Sequence, residues 1–183
     1  MSATVGLRNL HYAIITADSE EETAYGTMAR IGGMIQADIE VETADNTLYA
    51  DNIAWEAAVA TGKATVSLNL AEIPIEQLAS LLGHTLANGE MLSKSTDEPP
   101  YVGLAFEYTK NNGKKRFVKL MKGKFKEPNE STKTKEGNSV EFQTPTLEGT
   151  FIARLSDGAW KKTADEEATG YTSTIGDSWY TAM

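Results

Sequence analysis

VGLAFEYTKNNGKKRFVKLMKGKF, residues 102–125, reads as two strands and the turn between them. Val102, Leu104, Phe106 and Tyr108 recur at every second position, the period of a strand with one apolar face. Lys110-Asn-Asn-Gly113 supplies the turn, because Asn and Gly accept the left-handed backbone that a tight hairpin needs. Arg116–Phe125 is then the returning strand. Such a hairpin predicts an antiparallel sheet.

The same period recurs on both sides of it. Ile35, Ala37, Ile39 and Val41 alternate with Gln36, Asp38, Glu40 and Glu42. Val66, Leu68 and Leu70 alternate with Thr65, Ser67 and Asn69, and Leu10–Thr16 is a short apolar strand. Helical spacing is convincing only in IPIEQLASLLG, where Ile75, Leu78, Leu81 and Leu82 share a face. Pro74 suits its start and Gly83 the cap beyond its end. Thr43–Trp55 mixes Asn and Asp with Leu48, Tyr49, Ile53 and Trp55, which predicts an extended loop or arm with apolar contacts of its own. Glu127–Asn138 is a polar loop without an apolar anchor.

EFQTPTLEGT, residues 141–150, alternates like a strand but carries Pro145 between two threonines. Val140 and Phe142 share one parity; Leu147, Gly149 and Phe151 share the other. A β-bulge at Pro145 would shift the phase by one residue and tolerate the missing N–H. Residues 139–155 are then one bent strand or two strands meeting at a corner, and a plain loop between two short strands is the competing reading. Ser156–Gly170 reads as loop, and Thr174–Ala182 as a short last helix weakened by Gly176.

These elements predict a mainly β, antiparallel fold, a β-sandwich or barrel-like sheet with one flanking α-helix. A single domain is expected over residues 1–183, with arms at about 43–55 and 127–138 and a loop-rich tail at 156–183. No cysteine is present, so disulfides and thiolate sites are excluded. The N-terminal stretch has no basic region leading into a long apolar run, so neither a signal peptide nor a membrane span is expected.

A formal net charge of −9 argues against general attraction to nucleic acid. The charge is unevenly placed. Between Asp18 and Asp51 nine acids face the single Arg30, whereas Lys110–Lys126 carries eight bases and no acid. Two solvated faces would explain this. Head-to-tail contact between copies, which closes into a ring or runs on as a filament, would explain it as well.

Catalytic chemistry is hard to assemble from these residues. His11 and His84 lack metal-ligand spacing, and no phosphate-binding Gly-rich loop or nucleophile elbow occurs. Asp38, Glu40 and Glu42 have the spacing of one strand face, which is more ordinarily a wet surface than a hydrolase's carboxylate pair. Trp55, Trp160 and Trp179 would serve a sugar-stacking platform or, more commonly, a core or interface.

Four stretches carry a resemblance: VGLRNLHYAIIT (5–16), VETADNTLYADN (41–52), PPYVGLAFEYTKNNGKKRFVKLMKGKF (99–125) and EFQTPTLEGT (141–150). Together they resemble the major tail proteins, or tail tube proteins, of long-tailed bacteriophages of Gram-positive hosts. They occur in order and span nearly the whole chain, and the segment after Trp160 adds little. The resemblance implies a non-enzymatic β-rich subunit that needs no cofactor, with two packed sheets and a flanking helix. Six copies would make a ring, rings would stack into a tube, and DNA would pass through the lumen without specific binding. Tape measure, tail initiator and tail terminator proteins would be its partners. It would assemble in the bacterial host cytoplasm and reside in the virion tail, with no membrane involved.

In that setting Asp38, Glu40 and Glu42 are candidate lumen residues, since carboxylates repel phosphates. An outward-facing wet surface stands level with that reading. Leu48, Tyr49 and Trp55, with Lys114, Lys115, Arg116, Lys122 and Lys124, are candidate ring-stacking or inter-subunit residues. The basic hairpin is expected to meet acids such as Glu20–Glu22 of another copy. A non-polymerising β-sandwich that binds carbohydrate or decorates a capsid is the alternative.

Overall fold

A computed structural model describes residues 2–50, 53–129, 134 and 142–183, with the backbone alone for 44–50 and 53–61. The strands are β1 (Thr4–Asp18), β2 (Thr23–Tyr25), β3 (Ala29–Ile31), β4 (Met34–Ala50), β5 (Ile53–Leu70), β6 (Thr85–Ala87), β7 (Glu90–Leu92), β8 (Val102–Lys110), β9 (Lys115–Phe125), β10 (Thr146–Ile152) and β11 (Lys161–Asp165). Helix α1 spans Ile75–Leu82 and helix α2 Ser173–Asp177. The protein is mainly β, and its paired strands are antiparallel.

Nine strands form one sheet in the order β2-β1-β8-β9-β10-β5-β4, with β3 beside β1 and β11 beside β9. β8 and β9 are the hairpin read at 102–125, and Gly113 has φ 78 in its turn. Four strands separate β1 from β4 along the hydrogen-bonded path, yet the two come together. The sheet therefore rolls over one face. That face buries Leu10, Val66, Leu68, Leu70, Leu104, Phe106, Leu120, Leu147 and Phe151. Leu81 and Leu82 of α1 complete this core, whereas Ile75 of the same helix is exposed. The chain leaves α1 through Gly83 at φ 76, where a Cβ would collide with the carbonyl oxygen of Glu98.

Two phenylalanines and two glycines interlock across β9 and β10. Phe151 lies opposite Gly123, and Phe125 opposite Gly149. The two rings meet edge to face at 5.8 Å. Each glycine leaves room for the facing ring, so the missing side chain is part of the packing.

Pro145 does not sit in a bulge. Residues 142–145 are not strand, and β10 begins at Thr146. The chain runs from loop into strand at Thr146. The Pro145 carbonyl accepts the Leu70 amide at 3.0 Å, so the ladder uses the acceptor that proline retains and not the donor it lacks. Asn69 Nδ2 donates to both Thr144 Oγ1 and Thr146 Oγ1 at 3.1 Å, which gives each flanking threonine a role. Residues 139–141 lie outside the described residues.

The tail is more ordered than its composition suggests. Lys161–Asp165 pairs with Leu120–Arg116 of β9, and Trp179 is buried on the second sheet face with Ala105 and Phe117. Gly176 packs closely there: a Cβ would stand 2.5 Å from the Tyr171 hydroxyl and 3.0 Å from the Phe117 ring, so those side chains would have to shift.

Candidate assembly surface

In the segment expected as an extended loop or arm at 43–55, the described residues 43–50 and 53–55 are strand. β4 and β5 stay paired from Thr43↔Thr61 out to Ala50↔Ile53, with one register shift on the way. β10 covers β5 only from Ala64 to Asn69. The outer part of the hairpin thus has no third strand among the described residues, and it projects from the sheet for roughly 30 Å at the usual strand rise. Leu48 and Tyr49 lie on its first strand, and Trp55 falls at the register shift between Leu48↔Glu56 and Tyr49↔Ala54. Their side chains lie outside the described part of the structure.

β4 is also the last strand of the sheet, and no described strand pairs with its outer edge. Its sequence, MIQADIEVETADNTLYA, has no proline, glycine or lysine to blunt that edge. Such a row of free N–H and C=O groups is a template for another strand.

Asp38, Glu40 and Glu42 are exposed, and Asp38 and Glu40 lie opposite Ser67 and Thr65 of β5. Gln36 Nε2 donates to Asp38 at 2.8 Å, and Lys63 stands 3.4 Å from Glu42. The register continues across the same face from Glu40 through Thr65 and Thr150 to Lys124. This face is acidic at its edge, hydroxyl-rich in the middle and basic on β9, so it is not uniformly acidic. Three strand spacings, about 14 Å, separate the two signs.

Most of the basic hairpin is neutralised inside the subunit. Lys110 is held by Asp165 and Glu167, Lys115 by the buried Glu107 at 3.0 Å, and Arg116 by Asp165 at 2.8 Å. Lys122 pairs with Asp18, and Lys126 with Glu148. Lys119 is buried, donates to the Ala182 carbonyl at 2.6 Å and lies over the Trp179 ring. Burial draws its ammonium down to about 8. Lys114 is exposed, and Lys124 lies over the Tyr101 ring at 4.5 Å; neither makes an ion pair among the described residues. Lys115, Arg116 and Lys122 therefore have acidic partners in their own chain, and Glu20–Glu22 make none of these pairs. The sequence conceals this arrangement, because Asp165 and Glu167 lie more than fifty residues beyond Lys110.

Lys110 holds the Glu167 carboxyl down at about 2 and the Asp165 carboxyl below the usual carboxylate range. A lowered carboxylate pKa stabilises the fold above its unfolded value, and the contribution fades as the pH falls through the folded value. The urea midpoint is expected to fall between pH 4.5 and 2. Lys110→Met should lower it at pH 7 and flatten that acid limb. An unchanged limb would show that the pairs add nothing to stability.

Chemistry is otherwise sparse. Among the described residues no group of three His, Cys, Asp or Glu side chains could hold a metal ion. No described helix is long and apolar enough to cross a membrane. Trp179 is 2 % exposed and unavailable to a sugar. No protein-family model matches the chain, and no curated protein matches it significantly.

Proposed function

We propose that the protein is a structural virion protein, the subunit of a phage tail tube. It assembles with its own copies into hexameric rings that stack around a channel for DNA. The observation that carries this reading is the two-stranded arm at 43–61 together with the outer edge of β4, which no described strand covers. An isolated two-stranded ribbon is marginal in water, and a long free edge invites pairing. Both features gain stability when a second copy supplies the missing strands.

The sequence resemblance supplies the ring and the channel. In such a ring the exposed carboxylates of Asp38, Glu40 and Glu42 would repel the phosphates of DNA along that border. Burial of Trp179 removes one member of the platform that a carbohydrate-binding module would need.

Negative-stain electron microscopy of the purified protein, alone and with a tail initiator, tests this reading. Rings or tubes are expected. Compact single particles at high concentration, even with an initiator present, would favour the non-polymerising module.

A further inference from the structure

His84 follows the C-terminal cap of α1 and is almost fully buried, with 7 % of its side chain exposed. Its Nδ1 lies 2.8 Å from Asp97 Oδ2, and its Nε2 lies 2.8 Å from Glu127 Oε2. A neutral imidazole has one N–H and one lone pair, so it satisfies one carboxylate and turns its lone pair on the other. Only the imidazolium donates to both. The geometry alone therefore calls for a proton.

The two carboxylates are not equivalent. Asp97 Oδ2 also accepts the Lys94 amide at 2.9 Å and is only 12 % exposed, whereas Glu127 is 59 % exposed and has water at hand. Glu127 lies just past the end of β9. With Pro128 it walls a cavity of about 510 Å³ over Ile73 and Leu78.

We infer that His84 is a proton-controlled latch that fastens Glu127 to the end of α1 and releases it when the imidazole becomes neutral. Asp97 keeps its own imidazole and Lys94 N–H bonds, so the exposed Glu127 is the partner that leaves. Among the described residues the charged groups facing His84 are few. Asp97 approaches from the 94–97 turn with Lys94 behind it, and Glu127 approaches from the chain beyond β9. Lys126, next to Glu127, is engaged by Glu148. α1 contributes its carbonyl end, and its acid, Glu76, lies in the first turn.

Hydrogen bonds from Asp97 and then Glu127 raise the His84 pKa above its ordinary value, against the opposing effect of burial. The latch is thus closed below pH 6.5 and opens as the pH rises through the raised value. It concerns a single subunit and stands apart from the tube reading.

NMR titration of the two histidines, with amide hydrogen exchange at Lys126 and Glu127 corrected for intrinsic rates, tests it. In the wild type the protection of these amides is expected to fall several-fold through the His84 midpoint. Glu127→Gln should move that midpoint to lower pH and abolish the pH dependence of protection, and Asp97→Asn should also lower the midpoint. A midpoint unmoved by Glu127→Gln, or wild-type protection that stays level through it, would overturn the latch.

Discussion

Gly123→Ala is expected to destabilise the subunit by about 1–3 kcal/mol, the usual cost of forcing extra volume into a filled core. The new methyl would stand 2.5 Å from the Phe151 ring, and neither partner has an easy retreat. Phe151 is fully buried, packs edge to face against Phe125, and faces Gly123 in register. Valine at the same position should cost more, because its branches also need that ring's space.

A double-mutant cycle separates this cause from a general weakening of β9. Phe151→Ala alone should cost about 3–5 kcal/mol through lost burial and a cavity. In that background Gly123→Ala should cost little, since the methyl would enter vacated space. Urea denaturation of the four proteins gives the coupling energy. Additive costs would show that the glycine serves the strand's backbone and not the ring.

The alternating stretches were legible because a half-buried strand needs little context. Ile35–Val41, Ala64–Leu70 and Val102–Tyr108 show their inner faces by period alone, and Pro74 and Gly83 bracket α1. Lys161–Asp165 was not legible as strand. KKTAD has no apolar period, and its conformation follows from the exposed edge that β9 offers it. The strand pairing within the arm was not legible for a related reason: Asn46 and Asp45 favour turns locally, but cross-strand pairing with Ala58 and Val59 carries them through as strand. At Pro145 the parity change was visible but its cause was not, since a bulge and a strand start leave the same trace in a sequence. The basic hairpin misled most. Charge density along a chain says nothing of partners that folding brings from Asp18, Asp165 and Glu167. The His84 clamp was hidden likewise, because its carboxylates lie 13 and 43 residues away.

Removing the arm should abolish assembly and leave the subunit folded. Thr43 and Thr61 are cross-strand partners, so an Asn-Gly turn placed between them closes the hairpin at the sheet and deletes the projecting ribbon. The core gives no reason for the shortened chain to unfold. Among the β5 residues whose side chains are described, the buried ones, Ala64, Val66, Leu68 and Leu70, lie on the retained side. A ribbon without a third strand also adds little stability of its own. Its urea midpoint should therefore stay close to that of the full chain.

Assembly should respond very differently. The deleted segment includes Leu48, Tyr49, Ile53 and Trp55, and each large apolar side chain buried in a contact contributes roughly 1.5–3 kcal/mol. Losing even two such burials raises the concentration needed for assembly by about 100-fold or more. Sedimentation and electron microscopy across a concentration series would measure that threshold. Tubes forming at the original threshold would mean that the arm makes no contact between copies, and the tube reading would lose the structural feature on which it rests. Loss of folding in the truncated chain would be equally damaging, because it would make the ribbon part of the subunit's own core and not a surface awaiting a neighbour.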